Sequence, residues 1–540
     1  MTDHKQPAHL NQGACFVCSN FNHRPGASEP LTASRRNFLK STAAASFLLP
    51  TAACGVINPG SPSARLRSQS ILSSRYFVDA GLALLEENGE LRVAREVSIL
   101  INEGTIEDVI EGGERPDRRG RIQGIQALDA SRDFVVPGFI SGHTHAAGGT
   151  VTRGIIEMGR SFARPLEVVE LLTDDEIDAI TAFNVAELLL GGCTTHVEQS
   201  LSLRQAESYV RVARQLGARG YPGGMIPGIA RLFPIWFRAE DEALFDSIPG
   251  TLDEIQANLE FGRRNNGIEN GRILPMMAPH AADTQTPETM HAIADAAAEL
   301  GNGVHTHLSQ SANETATVRR LWGVTPTQWF ESFGMLDGPL FGAHMSGLDF
   351  ETDPPILNAH GSIYSHAPSA GGAGGGTQPY PEALAQDMNV NIGIDTHSND
   401  YLENLKLSVL YGQARHSLIA DSSDLELTRP DMRDSIDGAT RVAADGLRRP
   451  DLGRIAQGAK ADLVTIDVTG PLVGVGTLPP EPLNNLLYAH GLSVRNVITD
   501  GNIQIHEGRF VAGNFERIAH DAGAAVSRLW NILDDEGWFD

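Results

Sequence analysis

Apolar and polar positions follow two different periods along the chain, and the change of period divides it. From Ser70 to about Val136, short β-type runs such as YFVDAGLALL and EVSILINEGTIEDVI are broken by Asn, Gly and Pro. Beyond residue 137 the texture changes: helical patterns such as DDEIDAITAFNVAELLLGG and PETMHAIADAAAELGNG take turns with brief strand-like runs. Those runs are TTHVEQ, ILPMMAP, GVHTHLSQ, PLFGAH, GSIYSHAP and VNIGID. Alternation of strand and helix predicts parallel βαβ units. About eight of them fit between residues 138 and 450, the extent of a closed (β/α)8 barrel. Residues 451–515 return to short strands, in GRIAQGAKADLVTIDV and VRNVITDGNIQIHEG. The expected fold is therefore α/β: a TIM-type barrel over 137–450, with a small β-sandwich domain made from both flanks, 70–136 and 451–515. Apolar positions at helical spacing from Phe515 to Leu533 predict a terminal helix within 516–540. The Gly-rich stretch 370–376 (AGGAGGG) follows a strand and reads as a mobile lid; no GK[ST] follows it, which argues against a phosphate cradle.

The N-terminus carries an address. Residues 34–40 read SRRNFLK and lead into STAAASFLLPTAAC, the order of charged, apolar and small-residue regions found in a secretory signal. In that setting Arg35 and Arg36 resemble the bacterial Tat signal, so residues 1–54 are expected to be a signal segment and 55–69 a linker. The implied partner is the Tat export machinery, and the implied location is exported: periplasmic, or membrane-anchored facing the periplasm. Cys54 is either acylated as a lipid anchor or removed by plain cleavage nearby. Cys15 and Cys18 form a lone CxxC upstream, weak evidence for zinc or redox chemistry.

Composition narrows the partners. Apolar residues make up 41% and charged residues 20%, ordinary for a folded soluble domain. Acidic residues outnumber basic ones 67 to 42, and the net charge of −25 repels phosphate backbones, so nucleic acid is excluded as a partner. Lysine occurs only at positions 5, 40, 406 and 460.

Chemistry-bearing residues fall at the ends of the predicted strands, the face where barrel active sites are built. The first barrel strand, in VVPGFISGHTH, carries His143 and His145 at i and i+2, on one face. His280, His305 with His307, His344, His366, and Asp395 with His397 close later strands. Neutral imidazoles with one carboxylate suit a divalent ion and leave it Lewis-acidic enough to bring bound water toward a pKa of about 7.

VVPGFISGHTH, APHAADT, HTHLSQ, AHMSGL, IGIDTHSND and GAKADLVTID occur in the order seen in the amidohydrolase superfamily. Over roughly residues 70–515 the chain most resembles its branch of triazine hydrolases, cytosine deaminases and adenosine-type deaminases. The resemblance implies a metal-dependent hydrolase of a non-peptide carbon–nitrogen bond, or a related leaving group, in a small heterocyclic or amide compound. It implies one divalent ion, zinc or alternatively iron, on His143, His145, His307 and Asp395. Asp395 would also be general base, and His344 would polarise the attacking water or the substrate. His280, Arg153 and His366 match family positions near the substrate, and a homo-oligomer is implied.

Deaminases of this branch carry a glutamate three residues after the fifth-strand ligand; here the position is Gln310, and an amide cannot transfer a proton. Reactions whose leaving group needs less protonation, or another donor, are favoured. No lysine lies between His145 and Asp395, so the carboxylated-lysine bridge of binuclear members cannot form; Glu198 is the one obvious substitute, and the favoured reading of it is a polar barrel residue that contacts substrate or nothing. His305, in phase with His307 but one layer deeper, is expected to be structural. The competing readings are an exported binding protein on the same fold and a binuclear hydrolase.

Overall fold

The computed structural model describes residues 72–87, 89–112, 125–236, 251–373 and 376–540. The expected signal with Arg35 and Arg36, and Cys54, lie outside them. The N-terminal flank supplies β1 (Arg75–Glu87), β2 (Glu90–Asn102), β3 (Thr105–Ile110) and β4 (Gln126–Pro137). Its alternating apolar positions bury Tyr76, Val78, Ala80, Val97, Ile99 and Ile101 in a core of its own.

Pro137-Gly138 joins β4 to the barrel. Eight parallel strands follow: β5 (Phe139–Thr144), β6 (Cys193–Ser200), β7 (Arg219–Ile226), β8 (Ala278–Pro279), β9 (Val304–Leu308), β10 (Leu340–His344), β11 (Ile363–His366) and β12 (Asn389–Ile392). They form two runs of four, β5 to β8 and β9 to β12. Parallel bridges Met277↔Val304 and Thr144↔Asp395 join the runs and close the ring. At the second seam the Ile394 and Asp395 N–H groups both donate to the His143 carbonyl, at 2.8 and 3.0 Å.

The C-terminal flank adds β13 (Leu463–Asp467), β14 (Val494–Thr499), β15 (Asn502–His506) and β16 (Arg509–Phe510). Strand β13 runs antiparallel to β4, so the flanks do pair. Their strands form one continuous eight-stranded sheet in the order β16-β15-β14-β13-β4-β1-β2-β3.

The helices begin where their sequences say they should. Thr173 accepts the Glu176 N–H and Glu176 accepts the Thr173 N–H, a reciprocal cap that starts the helix Asp174–Leu190. Asp174, Asp175 and Glu176 place negative charge at its positive end. The helix Phe515–Asp535 packs on Asp174–Leu190 and on Ala163–Val168. Its Ala525, Val526, Leu529 and Leu533 share one apolar cluster with Phe162, Leu166 and Phe233. The Gly-rich stretch differs from the expected loop: Pro368–Ala373 is a short helix. A Cβ on Gly372 would lie 2.5 Å from the Tyr411 ring, so this glycine serves close packing.

Candidate metal centre and active site

The histidines converge because the barrel brings the ends of β5, β9 and β10 to one point. Among the described residues, two overlapping groups have ligand atoms close enough to share an ion: His143, His145 and Asp395, and His143, His307 and His344. All five are buried. Nε2 of His145 lies 3.5 Å and Nε2 of His143 4.0 Å from Asp395 Oδ1; Nε2 of His344 lies 3.7 Å from Asp395 Oδ2. Ligand atoms 2.0–2.2 Å from a zinc ion stand about 3.3–3.6 Å apart in a tetrahedron, so the spacing suits a small ion.

The surroundings aim the rings. A carbonyl can only accept, so His145 donates its Nδ1–H to Gln199 O and His307 donates its Nδ1–H to His280 O at 2.7 Å. Each is thereby fixed in the tautomer that keeps a lone pair on Nε2, the atom that ligates. His143 Nδ1 is 2.8 Å from His305 Nε2, so His305 orients a ligand from the layer below, the structural role expected of it. His143 Nε2 is buried with no hydrogen-bond partner, as a metal donor would be, and Asp395 Oδ2, the oxygen turned away from His143 and His145, is buried and unpartnered too. Burial, then the neighbouring imidazoles, pushes His143 and His307 well below the ordinary histidine range; burial also lowers His145. Neutral imidazoles are what a divalent ion requires. The residues fit such an ion.

Strained backbone marks the same point. His344 and Asp395 adopt φ of +75° and +66°, a region costly for residues other than glycine. His344 ends β10 and Asp395 lies three residues past β12, so both strained residues sit at strand ends.

His280 lines the cavity beside His307, with ring centroids 5.1 Å apart, and burial lowers its pKa to about 3. Thr284 Oγ1 donates to Ala281 O and receives His280 Nδ1–H at 3.2 Å, which leaves His280 Nε2 as an acceptor. The cavity over the ligands is about 20 Å³, roofed by Phe162, Leu166, Leu201, Met225 and Phe233. That is room for about one water.

Three further candidates are placed as follows. Arg153 is not among the cavity-lining residues: it is paired with Glu187 in a neighbouring cavity of about 470 Å³. Its exposed loop position, past the end of β5, lets it reach that carboxylate. Glu198 oxygens accept from Thr144 Oγ1 (2.6 Å), Ser200 Oγ (2.8 Å) and Ala146 N (3.0 Å), a structural set of partners that accords with the favoured reading of it. It pins the loop after His145. His366 lies behind His344, linked to it through Gln378, with its ring stacked on Tyr380. Gln310 is buried, and its N–H donates to Glu314 at 2.6 Å. His397 pairs with Glu157 near the surface.

Sequence reasoning passed over two amides. Gln378 joins His344 and His366. Asn391 accepts the Gly142 N–H at 2.6 Å and donates to Ile140 O and Gly438 O, which stitches β12 to β5. Neither sits in a recognisable motif.

Fold and site together define a metal-dependent hydrolase built on a (β/α)8 barrel. The amidohydrolase family model matches residues 134–503, more than half of the chain, and the protein belongs to that family of hydrolases of non-peptide carbon–nitrogen bonds. It is 27% identical over 409 residues to a 5-methylthioadenosine/S-adenosylhomocysteine deaminase of Desulfitobacterium hafniense, covering 73% of this chain and 86% of the relative. Among solved structures, a zinc-complexed atrazine chlorohydrolase from Arthrobacter aurescens TC1 superposes with a TM-score of 0.70 at 21% identity, covering 84% of this chain and 100% of that one. A zinc-bound adenosine deaminase from Xanthomonas campestris does so with a TM-score of 0.68 at 20% identity, over 84% and 98%. At these identities the structural likeness shows the fold.

Proposed function

We propose that the protein hydrolyses an exocyclic amino or related substituent from a small, electron-poor nitrogen heterocycle, with one zinc ion on His143, His145, His307 and Asp395. A divalent ion held there supplies Lewis acidity, which lowers the pKa of water toward about 7. The chain's own groups do the rest. Asp395 Oδ2 stands beside the reacting position and takes the proton of the attacking water. His344, 3.7 Å from that oxygen, polarises the substrate and donates toward the leaving group. Gln310 cannot shuttle a proton, so the proton Asp395 takes from the water is the one returned to the leaving group, while His344 hydrogen-bonds there without giving up its own. The apolar roof of Phe162, Leu166, Leu201, Met225 and Phe233 suits a flat, uncharged ring and excludes water, while His280 Nε2 accepts from a ring or amino N–H.

The observation that carries the reading is Asp395, placed among the ligand histidines with one buried oxygen left for chemistry. The deaminase names of the curated relatives support an amino group as the one displaced. Export by the Tat route, with cleavage near Cys54 or acylation of it, and a homo-oligomeric state belong to the same proposal. The order of regions around Arg35 and Arg36 supports the first.

The test is mass spectrometry of products from zinc-loaded protein given amino-, N-alkylamino- and chloro-substituted heterocycles and simple amides, with His307→Ala beside it. Release of ammonia, amine or chloride that vanishes in the variant, at one metal per chain, is expected. Full metal occupancy with no conversion of any compound would sink the hydrolytic reading in favour of a binding protein. Two metals per chain would favour the binuclear one.

A further inference from the structure

One buried amide decides what His344 can do. Gln378 sits after the short helix Pro368–Ala373 and is 3% exposed. Its Oε1 accepts the Ala367 backbone N–H at 2.8 Å. A backbone N–H can only donate, so this bond settles which end of the amide is oxygen. The same oxygen lies 2.8 Å from His366 Nδ1, which must therefore carry its proton. Stacking of His366 on Tyr380, at 4.9 Å between centroids, holds that ring in place. The other end of the amide is then the NH2 group, and its Nε2 lies 3.1 Å from His344 Nδ1. An NH2 group can only donate, so His344 Nδ1 must accept. Neutral His344 consequently holds its single proton on Nε2, the atom 3.7 Å from Asp395 Oδ2.

We infer that Gln378 is a positioning residue that fixes the tautomer of His344, making it a hydrogen-bond donor to the reacting group rather than a fifth metal ligand. The contrast with its neighbours carries the inference. His145 and His307 each give Nδ1–H to a carbonyl and keep the Nε2 lone pair for an ion. His344 faces an amide donor instead, and its polarity is reversed. The three rings are near one another, with His307 and His344 stacked at 5.3 Å, yet the groups behind them assign opposite tasks. His366 and Ala367 act only through Gln378, by holding its orientation.

The kinetic consequence rests on the hydrolytic reading above; the proton's position does not. The first measurement is therefore long-range 1H–15N correlation on zinc-loaded protein with 15N-labelled histidine, His344 being assigned by the signal lost in His344→Asn. The expected result is an Nε2–H tautomer in the parent protein and a protonated Nδ1 in Gln378→Glu, where a carboxylate now demands a donor. An Nδ1–H tautomer in the parent, or an unprotonated Nδ1 in Gln378→Glu, overturns the inference whether or not a substrate is known. The second measurement is turnover at pH 8.5, above the ordinary histidine pKa of about 6.5, on the amino-heterocycle converted in the panel. Gln378→Glu is nearly isosteric, so a mere packing role predicts that it is milder than Gln378→Met. Tautomer control predicts the reverse order: kcat falls about 10–100-fold in Gln378→Glu with KM within twofold, and less in Gln378→Met. A Gln378→Glu enzyme with parental kcat overturns the inference as well.

Discussion

Asn391→Leu tests whether the seam between the first and last barrel strands holds the active site together. The substitution keeps the branched shape and heavy-atom count and removes three buried hydrogen bonds: Gly142 N–H to Oδ1 (2.6 Å), and Nδ2 to Ile140 O (2.8 Å) and Gly438 O (2.9 Å). The losses are unequal. Gly142 N–H is stranded in the barrel interior, which costs about 1–3 kcal/mol. Ile140 O keeps the Tyr401 hydroxyl at 2.8 Å, so its loss sits at the low end of about 0.5–1.5 kcal/mol, and Gly438 O falls in the same range. The total is about 2–6 kcal/mol, centred near 4. The seam also carries His143 and, beyond β12, Asp395, so loosening it should weaken metal binding about 10–100-fold, as loss of groups behind metal ligands does. Urea unfolding gives the first quantity and calorimetric zinc titration the second. A stability loss under about 1 kcal/mol with unchanged zinc affinity would show that the stitch between β5 and β12 is incidental.

Two further outcomes follow from groups remote from the site. Arg219 and Asp462, both buried, form a two-point ion pair at 2.9 and 3.1 Å between β7 and the residue before β13. Arg219→Met leaves the carboxylate unpaired and should cost about 3–5 kcal/mol in urea unfolding, with KM unchanged; a loss below about 1 kcal/mol would contradict the pairing. Asp133 is buried against Thr465, and burial raises its pKa from 3.8 to about 6. The folded state therefore binds its proton more tightly than the unfolded chain does. Its contribution to stability is fully present below pH 3.8 and lost as pH rises through about 6, a difference of about 3 kcal/mol. Asp133→Asn should match the parent in thermal unfolding at pH 4 and exceed it at pH 7.5; equal melting at both would refute the shift.

The candidate ligands were legible because a metal would demand particular residue types, and because His143, His145, His307 and Asp395 sit on or beside strands whose period sets their facing. His143 and His145 could be placed on one face from their spacing alone. Strand β7, RGYPGGMI, escaped notice since three glycines and a proline erase the apolar pattern. Its glycines serve approach instead: a Cβ on Gly223 would lie 2.5 Å from Met276 O, and one on Gly224 2.7 Å from Leu203 N. Asn391 and Gln378 escaped for another reason. An amide has no preferred motif, and the Gly142 partner of Asn391 is 249 positions away. The Arg153 pairing was not legible, because sequence position says nothing about where a long exposed side chain turns, and Glu187 is near enough to claim it.

The ring closes between Thr144 and Asp395, so the site draws on both ends of the barrel's span of chain. On the ribosome, at about 5–20 residues per second, Asp395 is made about 10–50 s after His143. Through that interval the first histidine pair exists without its carboxylate, and His307 and His344 join it only in the later part. The five-residue cluster is thus complete only once the last barrel strand has been made, so any ion it holds would be taken up by a chain whose barrel sequence is already finished.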